Sequence, residues 1–214
     1  MADITLGLGD DTFVGPKNEP NTIRGDAVEL MGHVTGGNDT IMGGENSTNT
    51  IIGDATTFTG NVTGGADTLI GGKGGVNFLI GDAVDSGGGS HTGGSDRLVS
   101  APNTTDHMWG DFQSTGGMGS LSPGPDTFAC DHNNGNDFIY DFQQGLDTID
   151  FSGLKGGHAP TSLEDLNILV TDVTGPVPDS GPDGINDSVI QLSNNDSVTV
   201  VNFVGLAEGD FMFV

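Results

Sequence analysis

Basic side chains are scarce in this chain of 214 residues, which has five Lys and Arg against 30 Asp and Glu. The formal net charge is therefore −25 at pH 7. A nucleic-acid-binding protein needs many basic groups to release counterions from phosphates, so that class is excluded. No apolar run approaches the ~20 residues of a membrane-spanning helix, and the N-terminus lacks the basic and apolar regions of a secretory signal peptide. We therefore expect no nucleic-acid partner and no membrane span.

Cysteine and catalytic motifs are equally scarce. Cys130 is the only cysteine, so no internal disulfide and no CxxC pair can form, and we expect a small packed side chain. The sequences HExxH and GxSxG do not occur, which removes the local signatures of zinc proteases and of lipases. The five histidines show no metal-ligand spacing. The sequence therefore predicts a protein that is not an enzyme.

Glycine and aspartate are abundant, with 38 Gly and with Asp as 25 of the 30 acidic residues. Only 33% of the residues are hydrophobic. High net charge with little hydrophobic surface is typical of disordered chains. It is also typical of chains that fold when hard cations neutralise their carboxylates. Composition does not separate these two interpretations, whereas periodicity does.

Five segments of the form Gly-x-Asp-x-apolar recur along the chain, and their aspartates are spaced by 28, 28, 29 and 30 residues. These aspartates are Asp11, Asp39, Asp67, Asp96 and Asp126. A second series follows five short apolar runs with the same four steps, and it comprises Asp26, Asp54, Asp82, Asp111 and Asp141. Two independent series that share one set of steps indicate a repeat protein.

Each repeat contains two short strand-like runs separated by turns rich in Gly, Asn and Asp, and no segment has helical periodicity. Such strands gain a continuous core only when successive coils stack and equivalent strands pair in parallel. The fold class predicted is all-β: a right-handed parallel β-roll or β-solenoid of about five coils of 28–30 residues over 1–150, with a C-terminal β cap over 151–214. One inward wall is predicted to be Phe13, Ile41, Leu69, Leu98 and Phe128, and the other Ile23, Ile51, Leu79, Met108 and Ile139.

The third part of each repeat is the least regular, and we expect a long loop there with, at most, a short third strand. It covers residues 27–35, 55–63, 83–92 and 112–122.

Stacking places equivalent aspartates about 4.8 Å apart, the spacing of paired strands. Adjacent carboxylates then repel by roughly 3 to 4 kcal/mol at an effective dielectric constant near 20. A divalent cation between coils removes this repulsion, and ligation by carboxylate and backbone oxygens favours Ca²⁺ over Zn²⁺ or Mg²⁺. The alternative is that the aspartates only cap turns through their own backbone amides. That alternative stays more open for the Asp26 series than for the Asp11 series.

With these motifs in place, the sequence resembles the RTX, or haemolysin-type, calcium-binding repeat proteins, whose nonapeptide G-G-x-G-x-D-x-U-x forms a calcium-loaded β-roll. The portion G-x-D-x-U begins at Gly9, Gly37, Gly65, Gly94, Gly124, Gly135 and Gly145. The repeats and the resemblance together give a set of candidate calcium ligands: Gly9, Asp11, Gly37, Asp39, Gly65, Asp67, Gly94, Asp96, Gly124, Asp126, Asp26, Asp54, Asp82, Asp111, Asp137, Asp141 and Asp147.

Two departures from the family pattern matter. The family's compact coil has 18 residues, whereas these coils have 28–30. Asn21, Asn49 and Asn77 stand where a second ligand aspartate is expected, and only Asp106 and Asp137 restore it. Full metal occupancy along that edge is therefore in question for the first three coils.

The C-terminal part resembles the closing segment of secreted RTX proteins over residues 141–154, followed by alternating strand patterns. An acid before large apolar residues at Asp210–Val214 is similar to the family's uncleaved type I secretion signal. The stretch Gly175–Asp187 is rich in Pro, Gly and Asp and hints at a calcium loop, although a solvated loop is favoured because the EF-hand pattern is missing.

Three hypotheses follow. The resemblance implies a secreted, extracellular protein that is exported by type I secretion machinery and folds on binding several Ca²⁺ ions outside the cell. A second hypothesis is a calcium-dependent extracellular module that binds a polysaccharide through Trp109 and Tyr140, although packing between coils is favoured for this pair. The third is the C-terminal accessory region of a larger secreted enzyme.

Overall fold

The computed structural model describes residues 1–116, 119–130, 133–154, 159–174, 178, 181–193 and 195–213. These residues form a parallel β-solenoid, as the repeat predicts. Equivalent residues of successive coils pair directly, so that Ile23 lies beside Ile51 and Ile51 beside Leu79. Four coils have all three of their sides in strands, and a fifth coil has two. In the described part of the chain, no helix is long and apolar enough to cross a membrane.

The strands of the first two coils are β1 (Ala2–Thr5), β2 (Thr12–Val14), β3 (Asn21–Arg24), β4 (Ala27–Thr35), β5 (Thr40–Met42), β6 (Thr48–Ile52) and β7 (Ala55–Thr63). The next three coils contain β8 (Thr68–Ile70), β9 (Val76–Ile80), β10 (Ala83–Thr92), β11 (Arg97–Val99), β12 (Thr105–Trp109), β13 (Phe112–Ser114), β14 (Ser120–Ser122), β15 (Thr127–Ala129), β16 (Asn136–Ile139) and β17 (Thr148–Asp150). The C-terminal part has β18 (Asn167–Thr171), β19 (Asp187–Gln191), β20 (Ser197–Val200) and β21 (Phe211–Met212), with short 3₁₀ helices at Leu163–Asp165 and Glu208–Asp210.

The strands form three sheets. A seven-stranded sheet runs β2-β5-β8-β11-β15-β17-β21, and a nine-stranded sheet runs β1-β3-β6-β9-β12-β16-β20-β19-β18. The two predicted walls face each other between these sheets and form one apolar cluster. Nine of the ten predicted wall residues are fully buried, and Phe13 is half-buried because β2 is the first strand of its sheet.

The third part of each coil differs from the predicted loop, because in the first three coils it forms the longest strands of the molecule and in the fourth it forms two short strands. Strands β4, β7 and β10 pair in parallel with one another, and β13 and β14 continue that sheet. We call these five strands the fin. A nine-residue strand spans about 30 Å when fully extended, yet the carboxylate of Asp54, just before β7, accepts a hydrogen bond from the amide of Gly65, just after it (3.0 Å). The strand therefore reverses direction and projects from the coil.

The reversal occurs at Gly32, Gly60 and Gly89, whose φ angles of 90°, 96° and 135° lie in the region that favours glycine. The two arms pack against each other, since Phe58 before the turn and Val62 after it share one buried cluster. The loop prediction failed because each arm alternates apolar residues only briefly and Thr, Ser and Asn fill the positions between them. Pairing between coils stabilises these strands, and a single repeat does not reveal it.

Variation in coil length lies entirely in the fin. The interval from the first aspartate series to the second is 15 residues in every coil (11 to 26, 39 to 54, 67 to 82, 96 to 111 and 126 to 141). The interval that contains the fin is 13, 13, 14 and 15 residues (26 to 39, 54 to 67, 82 to 96 and 111 to 126). In the third coil the extra residue is accommodated between Ser86 and Gly89, where the register shifts.

The C-terminal part extends the sheets of the solenoid, as a β cap should. Strand β20 pairs in parallel with β16, and β21 pairs in parallel with β17. Strands β18 and β19 continue the nine-stranded sheet in antiparallel order. Phe151 and Phe211 belong to the same buried cluster as Ile149, so apolar packing is continuous across residue 150. The predicted tail Asp210–Val214 lies partly in β21, and Val214 is outside the described residues.

Candidate metal centre

The first aspartate series forms a buried column beside the seven-stranded sheet. From Asp39 onward, one carboxylate oxygen of each member accepts a hydrogen bond from the backbone amide of the equivalent aspartate one coil earlier. These bonds are Asp11 N to Asp39 Oδ1 (2.7 Å), Asp39 N to Asp67 Oδ1 (2.6 Å), Asp67 N to Asp96 Oδ1 (2.7 Å), Asp96 N to Asp126 Oδ1 (2.9 Å) and Asp126 N to Asp147 Oδ1 (3.0 Å). The column thus links every coil to the next one, and Asp147 is its last member.

The second oxygen of these carboxylates is different. The Oδ2 atom is buried, and accepts no hydrogen bond from any described residue, in each of four aspartates: Asp39, Asp67, Asp96 and Asp126. Each lies against the glycine that precedes an aspartate of the second series. A Cβ added to Gly53 would be 2.0 Å from both Asp67 Oδ2 and the carbonyl oxygen of Gly81. Carboxylate and carbonyl oxygens therefore converge at this glycine, which is the donor chemistry of a hard cation.

The second aspartate series forms a column at the base of the fin. Asp26, Asp54, Asp82 and Asp111 accept hydrogen bonds from the amides of Gly37, Gly65, Gly94 and Gly124, at 2.7 to 3.0 Å. Each bond joins the two ends of the part of one coil that forms the fin. Asp26 Oδ1 and Asp82 Oδ2 are buried and accept no hydrogen bond from any described residue. Asp141 is the last member of this column, and its two carboxylate oxygens accept hydrogen bonds from the amides of Gly110 (2.8 Å) and Asp111 (3.0 Å).

The two columns lie close enough to affect each other's protonation. Burial raises the pKa of Asp67 to about 8, with the neighbouring Asp39 and Asp26 acting in the same direction. Burial and the charge of Asp96 raise the pKa of Asp126 to about 10. Burial also raises the pKa of Asp82, and the charges of Asp96 and Asp54 add to this effect. The carboxylates therefore disfavour their ionised state inside the folded protein.

At the ends of the columns the shifts are smaller. Burial raises the pKa of Asp39 to about 6, of Asp147 to about 6 and of Asp141 to about 7, although backbone amides oppose the effect at each site. Asp39 lies one coil from the start of its column, and Asp141 and Asp147 end theirs and accept from two backbone amides each. The carboxylates of the middle coils are therefore the ones that most need a compensating positive charge.

Basic side chains do not supply that charge. The ion pairs among the described residues are Met1–Glu19, Lys17–Glu45, Arg24–Asp3 and Arg97–Asp150. None of them includes a member of either column. Buried charges without a partner are costly, so the columns need either protons or cations from solution.

The predicted glycine ligands occupy a third line beside the columns. A Cβ added to Gly65 would be 1.6 Å from the carbonyl oxygen of Gly37, and one added to Gly94 would be 1.7 Å from that of Gly65. The line comprises Gly9, Gly37, Gly65, Gly94 and Gly124. Glycine is required here because the carbonyl group of each coil points at the Cα atom of the next.

The predicted ligand Asp137 lies elsewhere. It ends a buried amide ladder in which Asn21 Nδ2 donates to Asn49 Oδ1 (2.8 Å), and Asn49 Nδ2 donates to Asn77 Oδ1 (2.7 Å). Asp106 Oδ1 accepts from Asn77 (2.5 Å). Both oxygens of Asp137 already accept hydrogen bonds, from the Asp106 amide and from Asn134 Nδ2. On this edge of the solenoid, hydrogen-bonded amide groups therefore stack from coil to coil.

The sequence patterns did not identify Gly25, Gly53, Gly81 and Gly110 as part of the centre. Carboxylate oxygens of the first column converge on these four residues. The signal was present in the repeat, because a glycine precedes each of the first four aspartates of the second series. Gln143 was also missed, and its Nε2 atom contacts Asp111 Oδ2 at 3.3 Å.

Among the described residues, no group of three or more His, Cys, Asp or Glu side chains is arranged to hold a metal ion. A cation between coils would therefore be bound by one or two carboxylates, and backbone carbonyl oxygens would complete its coordination. Residues 181–186 of the Gly175–Asp187 stretch form a loop, with Asp183 Oδ1 accepting from the Ile185 amide (2.9 Å), and Asp187 begins β19. Residues 175–177, 179 and 180 of that stretch lie outside the described residues.

Comparison with known proteins adds no family assignment. No protein-family model matches the chain, and no curated protein matches it significantly.

Proposed function

We propose that this chain is a calcium-binding β-solenoid, without catalytic activity of its own, that folds when Ca²⁺ neutralises its two aspartate columns. The observation that carries the proposal is a set of buried carboxylate oxygens without hydrogen-bond donors, at Asp39, Asp67, Asp96 and Asp126. No basic residue of the described chain pairs with them. A bound cation would supply the missing positive charge.

The donor set favours calcium over other metals. Carboxylate and carbonyl oxygens are hard ligands, whereas zinc and copper prefer the nitrogen and sulfur atoms of His and Cys. Mg²⁺ requires a tight octahedral arrangement. Sites between stacked coils depend on the spacing of strands, which suits the larger and more variable coordination of Ca²⁺.

We further propose that the protein is secreted and of the RTX kind. The repeated G-x-D-x-U motif and the acid-then-apolar C-terminus support this proposal, with type I secretion machinery as the implied partner. Low cytosolic calcium would keep the chain unfolded for export, and millimolar external calcium would drive folding. Extracellular calcium sites typically have Kd values of ~10⁻⁴–10⁻³ M.

Far-ultraviolet circular dichroism of the full chain with and without Ca²⁺ tests the calcium switch. We expect a disordered spectrum in calcium-depleted buffer and a β spectrum in 5–10 mM Ca²⁺, about tenfold above the expected Kd range. The same concentration of Mg²⁺ serves as the control and should restore little structure. A complete β spectrum in excess chelator at neutral pH would contradict the proposal.

A further inference from the structure

The outer face of the nine-stranded sheet carries a series of stacked rings. Phe78, His107 and Phe138 occupy paired positions on β9, β12 and β16. The ring centroids of Phe78 and His107 are 5.0 Å apart, those of His107 and Phe138 are 5.2 Å apart, and both pairs are within 12° of parallel. Neighbouring rings in this geometry fix one another's orientation.

A second ring pair lies beside this series. Trp109 and Tyr140 stack with centroids 4.4 Å apart and an interplanar angle of 10°. Trp109 is only 3% exposed, so its ring packs between coils and is not available to a ligand. Tyr140 is half-buried, and its hydroxyl group lies 2.8 Å from His107 Nδ1. Phe138 and Tyr140 are both half-buried, so each leaves part of its surface accessible.

A cavity of about 460 Å³ opens onto these two rings. His107, Asn136, Ser197 and Thr199 line the same cavity. Its volume is typical of a site for a small ligand. Ser197 Oγ donates to Asn136 Oδ1 (2.9 Å), which orients the amide nitrogen of Asn136 as a donor.

The described residues that line this cavity carry no formal charge, although the protein has a net charge of −25. No Asp, Glu, Lys or Arg occurs among the described residues that line it. Aromatic rings, Val173 and Val189 together with hydroxyl and amide groups in one cavity fit a neutral ligand with an apolar face and polar edges. An acidic ligand would meet no Lys or Arg among the described lining residues, and the net charge of −25 opposes its approach.

We propose that this cavity binds a neutral saccharide, with the apolar face of a pyranose ring on Phe138 and Tyr140. Asn136 and Ser197 would then hydrogen-bond to its hydroxyl groups. The inference does not rest on calcium binding, since none of these residues belongs to either aspartate column.

The test is a titration of the folded full chain, verified by circular dichroism in Ca²⁺, with maltohexaose, cellohexaose and mannohexaose, and with an alginate hexamer as the acidic counterpart. Trp109 is the only tryptophan and stacks on Tyr140, so its fluorescence reports occupancy of the cavity. We expect a saturable change with at least one neutral hexaose and none with alginate. Folded protein that binds none of the neutral hexaoses, or that binds alginate more tightly, would overturn the proposal.

Matched variants localise the site. Phe138→Ala should weaken binding about tenfold or more, because the stacking surface is lost. Phe78→Ala is the control, since Phe78 is also half-buried on the same outer face but does not line the cavity. Ser197→Asp, which adds a charge without removing a ring, should also abolish binding. Equal losses for Phe78→Ala and Phe138→Ala would refute this location. A chain that folds without calcium would contradict the proposed function and leave this test valid.

Discussion

At the scale of single residues, the buried aspartates of the first column combine two roles. One oxygen holds a backbone amide of the preceding coil, and the other accepts no hydrogen bond from any described residue. The first role needs only an oxygen of the right geometry, which asparagine also provides. The second needs a negative charge if a cation is to bind. Substitution by asparagine therefore separates them.

Asp67→Asn should make the chain easier to fold without calcium and less responsive to it. The new amide keeps an oxygen for the Asp39 backbone N–H and can donate to the carbonyl of Gly81, which converges on the same point. Calcium affinity should fall at least about tenfold, since even outer ligand partners have effects of that size. Calcium titrations followed by circular dichroism measure both effects.

The matched control is Asp85→Asn, which removes the same charge from an exposed position on the fin. Its calcium midpoint should stay within about twofold of the parent value, because exposed charges are screened by solvent and salt. If both substitutions shift the midpoint equally, calcium responds to net charge and not to the column.

The raised pKa values predict opposite pH trends with and without calcium. In the metal-free protein, burial raises the pKa values of Asp39, Asp141 and Asp67 to about 6, 7 and 8, from 3.8 for an unperturbed aspartate. Between pH 4 and 8 the native state therefore binds more protons than the unfolded chain, and its stability falls as pH rises. Calcium competes with those protons, so calcium-dependent stability should rise over the same range.

Thermal melts at pH 5, 6.5 and 8, in calcium-depleted buffer and in saturating Ca²⁺, measure these trends. The folded fraction without calcium should be largest at pH 5, and the gain on adding calcium should be largest at pH 8. A metal-free protein that becomes more stable between pH 5 and pH 8 would show that the buried carboxylates are not the controlling groups.

At the scale of elements, the solenoid wall and the fin tolerate changes in length differently. The 15-residue interval between the two aspartate series is constant, and it carries both inward walls and the amide ladder. The fin already varies by up to two residues within the chain, because its turn is solvent-facing and its arms need only meet at the base. In the wall strands, by contrast, successive side chains point to opposite faces of the sheet, so one inserted residue moves the side chains that follow it to the wrong face.

Inserting one glycine after Gly60 should therefore change the free energy of unfolding by no more than about 1 kcal/mol, since short loop extensions have a small entropic effect. One glycine inserted after Thr50 moves Ile51 out of the core and should destabilise the protein by about 3 kcal/mol or more. Denaturant unfolding of the two variants in calcium makes the comparison. Equal losses would mean that the fin is as constrained as the wall.

At the scale of the whole molecule, the sequence predicted the structural features that recur in every coil. Phased apolar positions gave the two inward walls and the parallel stacking, because equivalent residues must pair once coils stack. The reversal of the fin was not predictable in the same way, since it depends on the Asp54–Gly65 contact across 11 residues and on pairing with neighbouring coils. Nor did spacing distinguish Asp137 from the other aspartates. It ends the amide ladder and accepts from Asn134 and from the Asp106 amide, and only the three-dimensional arrangement shows that.

Because both aspartate series recur once in every coil, each additional coil adds the same negative charge to the interior of the molecule. Every complete coil places one aspartate in each column, so each coil adds two interior carboxylates, the charge that one divalent ion balances. If the proposed calcium role is right, the number of calcium ions bound per chain would then report the number of coils. A solenoid of any number of repeats would keep the same balance between interior carboxylates and bound ions.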